Sequence, residues 1–360
     1  MSHRPIRVLV VDDSAFVRAV LTRMITSDPD FTVVGATGRG SEAAGLVTRL
    51  QPDVVTLDVE MPDMNGLDAL AEIMRTRPTP VVMVSSLTAS GTRTAVQALA
   101  LGAVDVVGKP SGPRSPDLHR VQEELLAKLR AAAAARPRLT PAAAPPPDRQ
   151  APPAAAQPLA RPAGLAVVGS STGGPGALHS LLGSMPPGWP GAVVVVQHMP
   201  PTFTASLAEH LNAATPLTVR EARDGDRLEP ATVLVAPGGH HLVLAADGTV
   251  RLDDSPPRHG LRPAVDVTLE SVPEHWAARC AVIILTGMGV DGLAGARRLH
   301  RLGARVAVQD EESSVVFGMP RAVWEAGLAE LAAPPQDLAR WLVRAGAAWP
   351  VPGGKAGDGP

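Results

Sequence analysis

Residues 165–174 read Leu165-Ala166-Val167-Val168-Gly169-Ser170-Ser171-Thr172-Gly173-Gly174, and an apolar helical pattern follows from Ala177. A short apolar run closed by a glycine-rich turn and then a helix is the signature of a parallel strand buried on both faces. The same grammar recurs outward in both directions. C-terminal to it, apolar runs occur at Ala192–Val196, Val233–Ala236, Ala281–Leu285 and Val306–Val308, and Asp247-Gly248 predicts a hairpin turn within Leu242–Leu252. N-terminal to it, runs occur at Ile6–Val11, Phe31–Ala36, Val54–Asp58, Val81–Ser85 and Ala103–Val107. Between the first two of these, Phe16, Val20, Met24 and Val17, Leu21 recur at i+4 and predict an amphipathic helix. The fold class is α/β twice over: a flavodoxin-like domain with a five-stranded parallel sheet, then a second doubly wound domain carrying a β-hairpin.

Between the two lies residues 131–163, in which 14 Ala and nine Pro fill 23 of 33 positions. Repeated proline stops helix propagation, although Ala131–Ala135 can extend the preceding helix. The segment reads as a linker able to reach ~100 Å at polyproline spacing. The expected organisation is therefore 1–130, linker 131–163, 164–349 and a tail at 350–360. Two domains also suit the length of 360 residues.

Composition excludes several classes of function. The formal charge is −2, from 33 basic and 35 acidic residues, so no general attraction to nucleic acid or anionic lipid arises. Nine aromatic residues and no Tyr give little base-stacking surface. A DNA-binding regulator is further disfavoured because the second half lacks a helix-turn-helix pattern. A dinucleotide-binding oxidoreductase is disfavoured because Gly169–Gly174 does not contain G-x-G-x-x-G. One cysteine, Cys280, cannot close a disulfide and sits in an apolar strand as core. No apolar run approaches the ~20 residues of a membrane span, and Asp12 and Asp13 interrupt the N-terminal one. A cytoplasmic protein without membrane insertion is expected.

Open α/β sheets place their sites at the carboxyl ends of strands. In the first half those ends carry Asp12, Asp13, Asp58, Ser85 and Lys109. Each Asp alone would pass for a helix cap, but three carboxylates converging on one rim suit Mg²⁺. The chain has 30 Arg and only three Lys, and one of those three falls at this rim. A compact ammonium there would pair with a phosphoryl oxygen as a point charge.

In the second half, Ser171 occupies the centre of a G-x-S-x-G turn, His198 follows Gln197 at the end of a second strand, and Asp291 follows a third. A serine hydroxyl needs a base to become nucleophilic near pH 7, and the base needs an acid to hold its tautomer. The order Ser…His…Asp is not that of the α/β-hydrolases. On position alone His240 or His241 could replace His198. His179, His210, His259, His275 and His300 fall on helices or surface, and no metalloprotease-like ligand spacing is present. Asp266 could cap a helix or bind substrate.

Two resemblances bear on these sites. Val8-Leu9-Val10-Val11-Asp12-Asp13-Ser14-Ala15-Phe16-Val17-Arg18, Asp58-Val59-Glu60-Met61-Pro62-Asp63-Met64-Asn65-Gly66, Met83-Val84-Ser85-Ser86 and Lys109-Pro110 resemble the receiver domain of two-component response regulators. The resemblance implies phosphorylation of Asp58, Mg²⁺ held by Asp12, Asp13, Asp58 and the backbone carbonyl of Glu60, and phosphoryl contacts from Ser85 and Lys109. Val106 stands where receivers often carry an aromatic switch residue, which leaves signal output to the next domain open.

Residues 164–345 resemble the catalytic domain of the CheB family of chemotaxis methylesterases. The strings are Gly169–Gly174, Gln197-His198-Met199-Pro200-Pro201, Ala236-Pro237-Gly238, Arg262-Pro263 with Val265-Asp266, Ile284–Gly289 with Asp291-Gly292, and Val316–Arg321. This resemblance implies Ser171 as nucleophile, His198 as base, Asp291 as orienting acid, and Thr172 and Met288 around the oxyanion and rim. Ser170 stands where many members have Ala. The implied reaction is hydrolysis of glutamate γ-methyl esters on methyl-accepting chemotaxis receptors, with deamidation of receptor glutamines, and no cofactor for the esterase step. A chemotaxis histidine kinase is the implied phosphodonor. The domain order further suggests that the unphosphorylated receiver covers the esterase cleft. The competing reading is a phospho-switched binding protein with a non-functional pocket, which intact Ser171, His198 and Asp291 disfavour.

Overall fold

The structure is a computed structural model that describes residues 4–86, 88–109, 118–135, 161–347 and 349. Most of the expected linker (136–160) and the expected tail (350–360) lie outside the described residues. The chain divides into two compact units, with the division at Ala143/Ala144.

The first unit runs β1 (Ile6–Val11), α1 (Ala15–Thr26), β2 (Phe31–Thr37), α2 (Ala43–Leu50), β3 (Val54–Asp58), α3 (Gly66–Thr76), β4 (Val81–Ser85), α4 (Ala89–Ala100), β5 (Asp105–Gly108) and α5 (Leu118–Ala134). The sheet order is β2-β1-β3-β4-β5, all parallel. The order reverses at β1/β3, so the ends of those two strands border the crevice where such folds bind ligands. β3 and β4 are buried throughout, which accounts for their uninterrupted apolar runs. In α1 the buried face is Val17, Val20, Leu21, Met24 and Ile25. Phe16, expected on that face, is instead 49% exposed, because the 3.6-residue period centres the stripe one position later. The helix tail at Ala131–Ala134 belongs to α5, so regular structure continues past the residue at which the linker was expected to begin.

The second unit contains β6 (Leu165–Ser170), α6 (Gly174–Gly183), β7 (Ala192–Gln197), α7 (Phe203–Ala214), β8 (Thr218–Glu221), β9 (Thr232–Val235), β10 (His241–Leu244), β11 (Val250–Asp253), α8 (Val265–Ser271), β12 (Cys280–Ile284), α9 (Leu293–Arg301), β13 (Arg305–Gln309), α10 (Met319–Glu325), β14 (Leu331–Ala333) and α11 (Pro335–Ala347). Seven of these strands form one parallel sheet in the order β14-β13-β12-β6-β7-β9-β8. The expected five were short by the two edges, β8 and β14. The hairpin is β10–β11, antiparallel, with Gly248 at φ 83° in its turn. The central strands β12, β6 and β7 are buried along their whole length. No described helix is long and apolar enough to cross a membrane.

Candidate functional sites

In the first unit, β1 delivers Asp12 and Asp13 and β3 delivers Asp58 to adjacent positions. One carboxylate oxygen from each lies within 4.8 Å of the others. Asp12 and Asp58 are buried and Asp13 is exposed. Lys109 Nζ sits 2.8 Å from Asp58 Oδ2 and 3.1 Å from Asp12 Oδ2. Burial pushes the Asp58 carboxyl up to about 6 against the pull of Lys109, and burial raises Asp12 as well. Lys109 is raised: burial alone would lower it, and its two carboxylate partners prevail. One ammonium against three carboxylates leaves local negative charge, and the donors are all hard oxygens. The residues present thus fit a divalent cation such as Mg²⁺.

Glu60 donates its backbone N–H to Asp58 Oδ1 at 3.3 Å, while its side chain accepts from Ser86 and Ser90 hydroxyls at 3.5 and 3.2 Å. Its carboxylate is therefore engaged by these two hydroxyls. Ser85 is fully buried and its Oγ donates to the Ser86 carbonyl at 3.0 Å. A link not expected from sequence joins β5 to α5. Lys128 Nζ reaches Asp105 at 3.0 Å, Glu124 at 2.8 Å and the Val106 carbonyl at 2.7 Å. Val106 itself is buried.

In the second unit, Ser171, His198 and Asp291 follow β6, β7 and β12, three neighbours in the sheet that straddle the point where strand order reverses. β6 and β7 stay in register to Ser170↔Gln197, so Ser171 and His198 leave the sheet side by side. His198 N–H donates to the Ser170 carbonyl at 3.0 Å, and Ser171 N–H donates to the Thr286 carbonyl at 3.0 Å. The His198 ring is buried, with Nε2 2.8 Å from Asp291 Oδ2. Asp291 also accepts main-chain N–H groups of Val265 at 2.7 Å and Asp266 at 2.9 Å. Burial would raise this carboxyl, but the bond and charge of His198 and the two N–H groups hold it below the usual range. An ionised Asp291 can only accept, so His198 Nε2 is the donor in this contact and Nδ1 is the ring nitrogen not engaged by the carboxylate. Ser171 is half-buried, and among the described residues its hydroxyl has no hydrogen bond.

The alternative bases are placed elsewhere. His241 is fully buried, accepting from Ala264 N–H at Nδ1 (3.2 Å) and facing the Pro256 carbonyl with Nε2 (3.3 Å). His240 pairs with exposed Asp254 at 2.6 Å. His179 and His210 face each other across α6 and α7 with ring centroids 5.9 Å apart, and His259, His275 and His300 are exposed. Asp266 caps α9 by accepting Gly295 N–H at 2.8 Å. Asp291 caps α8 and Asp266 caps α9, so each acid satisfies the other helix's start.

Thr172 is buried, and its carbonyl accepts the Thr286 hydroxyl at 2.9 Å. Met288 is half-buried, followed by exposed Gly289 and Val290. Two buried residues that sequence reasoning did not single out organise this crevice. Gln309 Oε1 accepts Thr286 N–H at 2.8 Å, and the Gln197 amide contacts both Ser171 and His198 main chains. Gly287 is required by close approach: a Cβ there would fall 2.8 Å from Ser171 Cβ and 2.3 Å from Met319 Sδ. The available signals were position, since Gln197 adjoins His198 and Gly287 lies in the loop that carries Asp291, and the place of both within the strings that carry the resemblance.

Comparison with known proteins finds two family models that match separate stretches of the chain. The family model described as CheB methylesterase matches residues 166–342, and that of the response regulator receiver domain matches residues 8–119. The protein-glutamate methylesterase/protein-glutamine glutaminase of Symbiobacterium thermophilum is 51% identical over 354 residues, covering 95% of this chain and 98% of its own. That of Geobacillus kaustophilus is 46% identical over 347 residues, covering 95% and 99%. The crystal structure of the Thermotoga maritima CheB methylesterase catalytic domain is 43% identical and covers 50% of this chain and 97% of its own, with a TM-score of 0.49.

Proposed function

The chain belongs to the CheB methylesterase family, and from that premise we propose that it hydrolyses glutamate γ-methyl esters on chemotaxis receptors, and deamidates receptor glutamines, under control of phosphorylation at Asp58. The observation that carries the esterase reading is the buried 2.8 Å contact of His198 with Asp291 beside the end of the strand that delivers Ser171. In this reading Ser171 Oγ attacks the ester carbonyl carbon as its proton passes to His198 Nδ1. Asp291 stabilises the imidazolium so formed through Nε2. Main-chain N–H groups around Thr172 and Met288 flank the developing oxyanion. Collapse of the tetrahedral intermediate expels methanol, which takes the proton from His198, and leaves an acyl-Ser171. Water activated by His198 then releases the receptor glutamate and restores Ser171. With a glutamine side chain, ammonia leaves in place of methanol.

In the receiver, Asp12, Asp13, Asp58 and the Glu60 carbonyl would hold Mg²⁺. When bound, the ion neutralises charge on the phosphoryl group being transferred. Asp58 receives that group from a chemotaxis histidine kinase, and Lys109 and Ser85 contact its oxygens. The unphosphorylated receiver restrains the esterase, and phosphorylation lifts the restraint. The two-domain division, with a linker between the end of α5 at Ala134 and the start of β6 at Leu165 and a tail from 350, is part of this reading.

The test is methanol release from methylated receptor membranes, with and without a small phosphodonor and Mg²⁺. Release is expected from the wild type and stimulated by the phosphodonor. It should be abolished in Ser171→Ala and unstimulated in Asp58→Asn. A wild type that is phosphorylated on Asp58 yet releases no methanol would favour a binding protein. An isolated 164–350 fragment no faster than the unphosphorylated chain would remove the restraint.

A further inference from the structure

We propose that Gln197 is a positioning residue that sets the distance between nucleophile and base by clamping the main chain of both. This rests on the assignment of Ser171 and His198 made above. The Gln197 side chain is 2% exposed. Its Nε2 donates to the Ser171 carbonyl at 2.9 Å and to the His198 carbonyl at 3.0 Å, and its Oε1 accepts the Ser170 hydroxyl at 2.6 Å. Carbonyl oxygens only accept, so an amide turned the other way would set three oxygens against one another. The orientation is thus determined by chemistry, and the Ser170 hydroxyl must be the donor in the third bond. One planar amide thereby joins the two loops that carry the reacting side chains.

Three further features show that the surroundings are built for this amide. A Cβ on Gly174 would lie 2.0 Å from Gln197 Oε1, so the first residue of α6 has no side chain where the amide sits. The Ser171 carbonyl takes a second hydrogen bond, from Gly174 N–H at 2.8 Å, so both its lone pairs are used. Ser170 is fully buried, and its only polar atom on the side chain is spent on this amide. A shift of the nucleophile relative to the base by about 1 Å costs on the order of 100-fold in rate. A clamp on both loops acts on that distance and leaves substrate contacts alone.

Gln197→Met keeps the volume and removes both donors. In the full phosphorylated chain, kcat for methanol release is expected to fall about 10–100-fold, with KM within about twofold because no substrate contact is removed. Labelling of Ser171 by a fluorophosphonate should slow in parallel, without any receptor present. Gln197→Glu keeps the shape and makes the clamp titratable. A neutral acid can donate to one carbonyl, whereas a carboxylate repels both. The ratio of Gln197→Glu to wild-type labelling rate should therefore be highest near pH 6 and fall at least about fivefold by pH 9, because only the neutral form restores a donor. The Gln197→Met ratio should be flat with pH.

A Gln197→Met chain within about threefold of wild type in kcat would overturn the inference. So would a Gln197→Glu ratio that does not change with pH, which decides the matter if the Met variant does not fold. Failure of the underlying assignment is a separate result: Ser171→Ala would then still release methanol. Gln197 variants at full rate beside an inert Ser171→Ala would remove the clamp and leave the nucleophile in place.

Discussion

Asp291 Oδ2 lies 2.8 Å from Nε2 of His198 while the same carboxylate accepts the first two main-chain N–H groups of α8, from Val265 and Asp266. Asn at 291 has one acceptor oxygen for three donors, and its NH₂ cannot accept from the ring. Asp291→Asn is expected to lower kcat by about 10³–10⁴-fold, the cost of losing the correct tautomer. It should also destabilise the second unit by about 1–2 kcal/mol through the lost cap. Methanol-release kinetics and thermal unfolding measure the two effects, and a kcat within tenfold of wild type would contradict the assignment.

Asp58→Asn removes one of three crowded carboxylates. In EDTA the receiver should become more stable, its melting temperature rising by about 2–5 °C for a gain near 1 kcal/mol. Stabilisation by added Mg²⁺ should shrink or vanish, since an anionic ligand is lost. Circular dichroism melts with EDTA and with Mg²⁺ test both; an undiminished Mg²⁺ effect would place the cation elsewhere.

His179 and His210 are held below the usual imidazole value of 6.5 by burial, and His210 also by the charge of His179. The unfolded chain then binds more protons than the folded one once pH falls below about 6.5, so stability is full above that pH and declines as pH falls toward the lowered folded values. All five Trp residues lie at positions 189–349, so Trp fluorescence follows the second unit without contribution from the receiver. The urea midpoint should drop between pH 7.5 and 5.5, and His210→Gln should reduce that drop. An equal drop in the variant would mean that other groups titrate.

Gly174 and Gly176 stand two residues apart in α6 and should respond oppositely to Ala. At Gly174 the new Cβ meets Gln197 Oε1 at 2.0 Å and Ser170 Cβ at 2.9 Å; at Gly176 nothing lies within 4 Å. Gly174→Ala should cost about 1–3 kcal/mol by overpacking and most of the activity. Gly176→Ala should gain about 0.5–1 kcal/mol from helix propensity. Chemical denaturation of the two variants side by side checks the pair, and a stable, active Gly174→Ala would show that the amide has room to move.

The central strands were legible because burial on both faces writes them as uninterrupted apolar runs, and Ser171 and His198 could be singled out because each directly follows one, Asp291 because it lies in the loop after a third. β8 and β14 were not. Thr218-Val219-Arg220-Glu221 mixes polar and apolar residues as a sheet edge does, and Leu331–Ala333 is three residues long. The acidic trio could be read from strand ends, but the Lys128–Asp105–Glu124 cluster depends on α5 packing over β5, which spacing along the chain does not reveal. The choice of Nε2 as the atom facing Asp291 was likewise hidden, since it follows from where β12 places its loop relative to β7. Gln197 was adjacent to a residue already singled out, yet its amide had no recognisable role until the carbonyls of Ser171 and His198 were seen on one side of it.

The proposed triad is distributed over the ends of three neighbouring central strands, and His198 and Asp291 are 93 positions apart in the chain. During synthesis β6 and β7 emerge well before β12, and the intervening chain must add β9, β8 and the hairpin before β12 can return to pair with β6. On that assignment, esterase activity is expected to appear only late, with closure of the sheet's middle. An incomplete chain that lacks β12 carries the serine and the histidine but not the acid, and is expected to have at most a small residue of the esterase rate.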